Sequence, residues 1–188
     1  RKEQILSSAL SVFKKQGIEK ATMDEIAKEA DFGKATLYYY FSSKEEIFVE
    51  QLTRGWKMIW ESIEPVLHDH ENPKDTFINS LNIIGGLVRK DQVLFEFLFT
   101  APKMLPEADS SSNLEWKKYQ TKMYGVLQTL LEEAIAKKEF PEIRSDLLMR
   151  AIGGLFHGLF FLGEDKKTMS RETMEDFITS FIGNYGSS

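Results

Sequence analysis

Apolar residues in this chain recur at spacings of three and four, the period that places them on one face of an α-helix. The first such stretch runs from about Lys2 to Gln16, and Gly17 follows it as a natural helix stop. Its apolar face consists of Ile5, Leu6, Ala9, Leu10 and Phe13. Strict alternation of apolar and polar residues does not persist anywhere, so the sequence predicts an all-α protein.

Two short helices are predicted directly after the first. Thr22 and Glu25 form the Thr-x-x-Glu capping-box pattern, which predicts a helix over 23–30. The triplet 31–33 is turn-like, and a second short helix is predicted over 34–41. Two short helices with a three-residue turn between them predict a helix-turn-helix.

Longer helices are predicted for the rest of the chain. Ser42-Ser43 supplies a helix cap, and helical spacing then continues from Lys44 until Pro65 perturbs it. Further helices are expected near residues 73–90, 91–100, 113–138, 145–163 and 170–185, with a loop over 101–112.

Composition places the chain among ordinary soluble globular proteins. It has 188 residues, of which 42% are hydrophobic and 28% charged, and it contains no Cys. The missing Cys excludes disulfide scaffolds and thiolate chemistry and favours a cytoplasmic location. The longest weakly polar run, 152–163, is too short to cross a bilayer, which needs roughly 20 residues. We therefore expect no membrane span, and the polar start predicts no secretory signal.

Charge is distributed unevenly along the chain. The net charge is −5, which argues against a generic polyanion binder. Residues 1–44 nevertheless carry eight basic and six acidic residues. Nucleic-acid binding must therefore rest on local charge, and a randomly uneven surface is the alternative interpretation.

The second short helix has a start suited to a DNA major groove. A recognition helix enters the groove by its N-terminal end, where small or hydrogen-bonding groups are needed. Lys34 can reach guanine acceptors or a phosphate, the Ala35 methyl can lie against a thymine methyl, and Thr36 can bond a phosphate or a base edge. Leu37 is expected to point back and hold the two short helices together.

Three adjacent tyrosines follow, and they cannot all be buried. Tyr38, Tyr39 and Tyr40 span most of the helix circumference, so at least one hydroxyl must face outward. A phenol donates to a phosphate oxygen without adding charge, which suits backbone contacts beside Lys44. Thr22 is placed to do likewise at the other rim.

Spacing alone leaves an alternative open, since short capped helix pairs occur in many proteins that never meet DNA. Residue identity favours DNA binding, because residues 5–48 resemble the N-terminal domain of the TetR family of bacterial transcriptional regulators. The matching elements are Ile5-Leu6 with Ala9, Phe13 and Gly17; Ala21-Thr22; Ile26-Ala27; residues 34–41; and residues 44–48.

The resemblance implies a DNA-binding domain over 1–46, followed by an effector-binding and dimerisation domain over 47–188. It carries the family's DNA contacts onto Thr22, Lys34, Ala35, Thr36, Tyr38, Tyr39, Tyr40 and Lys44. Two residues depart from the family pattern. Asp31 stands where Gly is usual, and Gly33 replaces the usual polar cap, which puts the turn geometry in question.

The second domain is rich in aromatic residues, which at helical spacing are more often core than pocket lining. A pocket with many aromatics and few charges favours a small hydrophobic effector. The candidate ligand-binding residues are Trp60, Phe99, Tyr119, Met123, His157 and Phe160. For His157 a hydrogen-bonded core position is the equal alternative.

Three glycines on one late helix point to a subunit interface. Gly153, Gly154 and Gly158 lower intrinsic helix stability by up to about 1 kcal/mol each relative to Ala. Close approach of another helix would compensate, so a homodimer through the last two helices is expected. A core helix within one chain is the alternative.

No catalytic grouping is recognisable, so neither an enzyme nor a cofactor is expected. His68 and His70 at i and i+2 point apart on a helix and predict a solvated turn rather than a metal site. The function predicted is a transcriptional regulator, by default a repressor, released from a palindromic double-stranded operator by its effector. The alternative is a helical small-molecule-binding or interaction dimer without a DNA role.

Overall fold

The computed structural model describes residues 1–68, 72–101, 115–140, 142–162 and 180. All regular structure within these ranges is helical, which confirms the all-α prediction. The helices are α1 Lys2–Lys20, α2 Met23–Glu29, α3 Lys34–Tyr40, α4 Lys44–Ile63, α5 Pro73–Lys90, α6 Gln92–Thr100, α7 Glu115–Ala136 and α8 Ser145–Phe161. The helix predicted over 170–185 and the loop predicted over 101–112 lie almost entirely outside the described residues.

The chain divides into two compact units. The first comprises Arg1–Lys57 and Val93–Tyr119, and the second comprises Met58–Gln92 and Gln120–Ser188. Helix α6 therefore belongs to the same unit as the helix-turn-helix. The domain boundary expected between residues 46 and 47 stays a prediction.

Helix α1 changes direction at Gly17, where the sequence predicted a stop. Gly17 has φ 79° and ψ 162°, a backbone region that is open almost only to glycine. The preceding apolar face is buried, with Ile5 and Ala9 fully inaccessible. The glycine thus ends the first regular stretch of α1 and redirects the chain towards α2.

The turn between α2 and α3 depends on a residue in the left-handed region. Asp31 has φ 55°, which explains why glycine is favoured there and why a short polar side chain is tolerated. Leu37 is completely buried, as predicted, and α3 contacts α2. The α2–α3 pair therefore forms the expected helix-turn-helix.

An aromatic cluster joins α1, α4 and α6 within the first unit. The Phe48 ring lies 5.7 Å from the Phe13 ring and 5.0 Å from the Phe97 ring, centroid to centroid, and both contacts are edge-on. Further along, a Cβ placed on Gly55 would lie 2.4 Å from a methyl carbon of Leu98. Glycine at position 55 is therefore what lets α4 and α6 approach so closely.

The second unit has its own apolar core. Phe77 of α5 packs edge-on against Phe140, with ring centroids 6.0 Å apart. The inward face predicted for the helix near residue 113 is confirmed on α7: in the second unit Met123, Leu127, Leu130 and Ala134 are buried. In the part of α7 that belongs to the first unit, Trp116 is buried and Tyr119 is half-buried. The Gln128 side-chain amide on α7 donates to the Ser145 hydroxyl at the start of α8.

Replacing Gly17 with Ala should destabilise the chain by about 1–3 kcal/mol, because alanine must adopt a strained backbone conformation at that position. No described atom within 4 Å would obstruct the new Cβ, so the effect isolates the backbone. Gly125→Ala is the control, since this exposed glycine lies inside α7 and alanine there should stabilise by up to about 1 kcal/mol. Urea unfolding followed by circular dichroism measures both, and equal stability of Gly17→Ala and the unchanged chain would contradict the prediction.

Candidate DNA-binding surface

Helix α3 presents most of its circumference to solvent. Tyr39 is 83% exposed and Tyr38 is 52% exposed, while Tyr40 is half-buried with its ring edge-on to Tyr39 at 5.2 Å. The expectation that at least one phenol faces outward is thus confirmed. Two hydroxyl donors without charge therefore lie on the open side of this helix.

The start of α3 is small and open. Lys34 and Ala35 are exposed, and Thr36 is half-buried. Gly33 occupies the cap position without a side-chain hydrogen bond, and no acidic residue stands in the first turn. Nothing bulky or negatively charged on α3 itself obstructs approach to its N-terminal end.

Lys34 is held by an ion pair with α2. Its ammonium lies 2.5 Å from a carboxylate oxygen of Asp24. The hydrogen bond and the negative charge of Asp24 raise the pKa of the Lys34 ammonium. The sequence did not predict this pairing, because it joins two helices.

A cleft of about 400 Å³ lies beside α3, where α2 and α4 both begin. Three of the predicted contact residues line it, namely Thr22, Tyr38 and Lys44. Ser42 and Ser43 also line the cleft, and sequence analysis had given them only a capping role. Two adjacent hydroxyls before a helix start were the signal available, because hydroxyls and free helix amides both suit phosphate oxygens.

Lys44 has intramolecular partners that the sequence did not predict. Its ammonium donates to the backbone carbonyls of Glu19 and Ala21, each at 2.9 Å. These carbonyls lie at the end of α1, where helix carbonyls lack partners and attract a cation. Lys44 therefore ties the start of α4 to the end of α1, and its phosphate contact stays a prediction.

Two carboxylates fix the starts of α2 and α4. Glu25 accepts from the Thr22 hydroxyl at 2.8 Å and from the Thr22 amide at 2.9 Å, which confirms the capping box. Glu46 accepts from the Ser42 hydroxyl and amide in the same manner. The hydroxyl bonds from Thr22 and Ser42 lower the pKa values of Glu25 and Glu46, respectively. Both carboxylates are therefore ionised and locked into local structure at neutral pH.

The six candidate ligand-binding residues are divided between the two units. Phe99 and Tyr119 belong to the first unit and are half-buried. In the second unit Trp60, Met123 and Phe160 are buried and His157 is half-buried. The Lys122 ammonium lies 4.0 Å from the Trp60 ring centroid, and the His157 ring contacts the Phe161 ring at 5.3 Å. Their role in ligand binding stays a prediction.

Helix α8 carries an exposed apolar and glycine-rich surface. Leu147 is 46% exposed, and Gly153 and Gly154 are exposed with no described atom within 4 Å of an added Cβ. Close packing against the described residues therefore does not explain these two glycines.

Within the described residues, no helix is long and apolar enough to cross a membrane. Among those same residues, no three His, Cys, Asp or Glu side chains are grouped as a metal site would require. The side chains of His68 and His70 lie outside the described residues.

Comparison with known proteins supports the helix-turn-helix assignment. Residues 5–50 match the family model for bacterial regulatory proteins of the tetR family. Over 187 residues the chain is 24% identical to the biofilm operon icaADBC HTH-type negative transcriptional regulator IcaR of Staphylococcus aureus. The aligned region covers 98% of this chain and 81% of IcaR.

Two solved structures share the fold over nearly the whole chain. AibR in complex with isovaleryl coenzyme A and operator DNA superimposes with a TM-score of 0.82 at 16% identity, covering 98% of this chain and 99% of AibR. FadR of Bacillus subtilis in complex with stearoyl-CoA gives a TM-score of 0.67 at 20% identity, covering 96% of this chain and 97% of FadR.

A capped helix-turn-helix whose second helix faces solvent, within the segment that matches this family model, is typical of a DNA-binding regulator. Residues 5–50 thus match the N-terminal domain of tetR-family regulatory proteins, and the chain is similar to a transcriptional regulator over nearly its whole length. The family match favours the DNA-binding interpretation over the alternative of a helical dimer without a DNA role.

Lys44→Ala should lower the free energy of unfolding by about 1–3 kcal/mol in the absence of DNA, because it removes two charge-assisted hydrogen bonds to the end of α1. Lys28→Ala is the control, since Lys28 is an exposed lysine on α2. Chemical denaturation of both variants measures the difference. Identical stabilities of the two variants would show that the carbonyl contacts of Lys44 contribute nothing to the fold.

Proposed function

We propose that this chain is a homodimeric repressor that binds a two-fold symmetric operator through α3 and is released by a small hydrophobic effector. The observation that carries the proposal is the open face of α3, which combines one cation, a methyl group and hydroxyl donors next to a hydroxyl-lined cleft. Each of these groups has a partner on duplex DNA.

The first turn of α3 reads base edges in this proposal. A B-DNA major groove is about 12 Å wide, which admits one α-helix end-on. Lys34 addresses guanine, Ala35 a thymine methyl, and Thr36 a base edge or phosphate. Because α3 has only seven residues, only its first turn reaches deep into the major groove.

The surrounding groups hold the DNA backbone. Tyr38, Tyr39 and Tyr40 donate phenol hydroxyls to phosphate oxygens, and Thr22 and Lys44 contact phosphates across the cleft. Phenols position the backbone without adding positive charge, which suits a chain whose net charge is −5. Affinity for arbitrary polyanions then stays low.

The exposed apolar face of α8 supports pairing with a second copy. Leu147 on α8 is 46% exposed, the open glycines lie on the same helix, and Ile143 just before α8 is 45% exposed. A two-fold dimer places its two recognition helices in successive major grooves, about 34 Å apart. An operator with two inverted half-sites follows from that symmetry.

The effector is proposed to be an acyl compound. AibR and FadR share the fold and were solved with isovaleryl coenzyme A and stearoyl-CoA, respectively. In the second unit the candidates Trp60, Met123 and Phe160 suit an acyl chain, and His157 offers an adjustable polar group. Phe99 and Tyr119 are the candidates of the first unit. A coupling free energy of about 1–3 kcal/mol changes operator affinity 5- to 150-fold, which is sufficient for release.

Helix α6 is suited to carry the signal to the DNA-binding helices. Its Glu96 pairs with Lys14 of α1 at 3.1 Å, and its Phe97 packs against Phe13 and Phe48. A shift of α6 therefore displaces α1 and α4, since close-packed side chains transmit movement.

Selection from a pool of random duplexes tests the proposal. The unchanged chain should enrich a two-fold symmetric sequence, and Thr36→Val should enrich a different one because a base-edge hydroxyl is lost. Thr121→Val, on the exposed surface of α7, is the control and should enrich the original sequence. Failure of the unchanged chain to enrich any sequence would overturn operator binding.

The enriched duplex then serves for the effector. Stearoyl-CoA and isovaleryl-CoA are added separately to the protein–duplex complex, and fluorescence anisotropy follows release. A five-fold or greater loss of affinity with either compound supports an acyl effector, whereas unchanged affinity with both excludes it.

A further inference from the structure

We infer that Asp24 sets the DNA specificity of this protein by preventing Lys34 from contacting the phosphates of DNA that lacks the matching base. This role is not implied by DNA binding itself, although it rests on the proposed function. Asp24 is on α2, and the side chain that it controls is at the start of the recognition helix.

The ion pair is positioned at the DNA-facing rim. Asp24 Oδ2 and Lys34 Nζ are 2.5 Å apart, and their side chains are 56% and 65% exposed. Asp24 also lines the cleft that contains Thr22 and Lys44. Lys34 is the one basic residue in the α3 sequence, so Asp24 neutralises the only cation that this helix carries.

The pair does little for folding, because exposed ion pairs contribute weakly to stability. The start of α2 is already secured by Thr22 and Glu25. The consequence of the pair therefore falls on what Lys34 can bind. A carboxylate that close competes directly with any phosphate for the same ammonium group.

Random and operator DNA compete with Asp24 differently. Binding to random DNA is driven by lysine–phosphate contacts that release counterions, and a lysine that stays paired releases none. Guanine offers two acceptors in the major groove, O6 and N7, at a fixed place in the sequence. The Lys34 ammonium has three N–H donors, so it can donate to the uncharged guanine acceptors while it stays paired with Asp24. A phosphate on the same ammonium would lie against the Asp24 carboxylate, and like charges repel. Asp24 therefore weakens binding to random DNA more than binding to the operator.

Asp24→Asn tests this inference directly. The variant should bind a random-sequence duplex roughly 3- to 10-fold more tightly, and the plot of log affinity against log salt should steepen by about 0.9, the value of one added phosphate contact. Affinity for the duplex enriched by the unchanged chain should rise less than about two-fold, because Lys34 donates to guanine there without breaking its pair with Asp24. The ratio of specific to random binding therefore falls.

Glu45→Gln is the matched control for the change in charge. Glu45 lines the same cleft, and the described part of the structure shows no ion pair for it. This variant should leave the salt slope unchanged. Asp24→Ser removes the same carboxylate with a different side chain and should reproduce the Asn result.

The Lys34→Ala variant separates the effect of the ion pair from the effect of the Asp24 charge on DNA in general. In a Lys34→Ala background, Asp24→Asn should no longer steepen the salt slope. If the slope steepens there as before, or if Asp24→Asn and Glu45→Gln behave alike, the inference is wrong while DNA binding stands. If the unchanged chain binds no duplex at all, both the inference and the proposed function fail.

Discussion

The burial of Leu37 fixes what the recognition helix shows to DNA. Leu37 is the one residue of α3 that is fully inaccessible, and α3 contacts α2. With about 3.6 residues per turn, one inward position in a seven-residue helix sends most of the others outward. The exposure of Lys34, Ala35, Tyr38 and Tyr39 follows from that single constraint. A polar residue at position 37 would remove it and leave α3 without a defined orientation.

The surface around α3 favours specificity for one DNA sequence over high affinity for any DNA. Its two lysines have partners within the protein: Lys34 pairs with Asp24, and Lys44 donates to two carbonyls at the end of α1. Its phenols and hydroxyls carry no charge. Because non-specific DNA binding depends on free cations, we expect such a surface to bind random sequence weakly and to gain affinity from matched contacts. The acidic net charge of the whole chain acts in the same direction.

Local signals in the sequence predicted the helices and their ends, whereas contacts between residues far apart in the chain could not be predicted. The Thr22 cap, the Gly17 break and the helix bounds depend on neighbours within four residues, so their patterns can be read directly. The Lys44 contacts join residues more than twenty positions apart, and the Asp24–Lys34 pair depends on the angle between two helices. The membership of α6 in the first unit has the same origin, because the Phe97 contact with Phe13 is set by packing. The candidate effector residues lie on several helices, and the spacing of residues along the sequence does not encode how those helices assemble.

Amide hydrogen exchange with and without the enriched duplex tests most directly whether the open face of α3 is the DNA-reading surface. The account predicts that amides of α3 and of the starts of α2 and α4 become protected on binding, while those of α5 are unchanged. Protection confined to other helices, with α3 exchanging as fast as in the free protein, would contradict it.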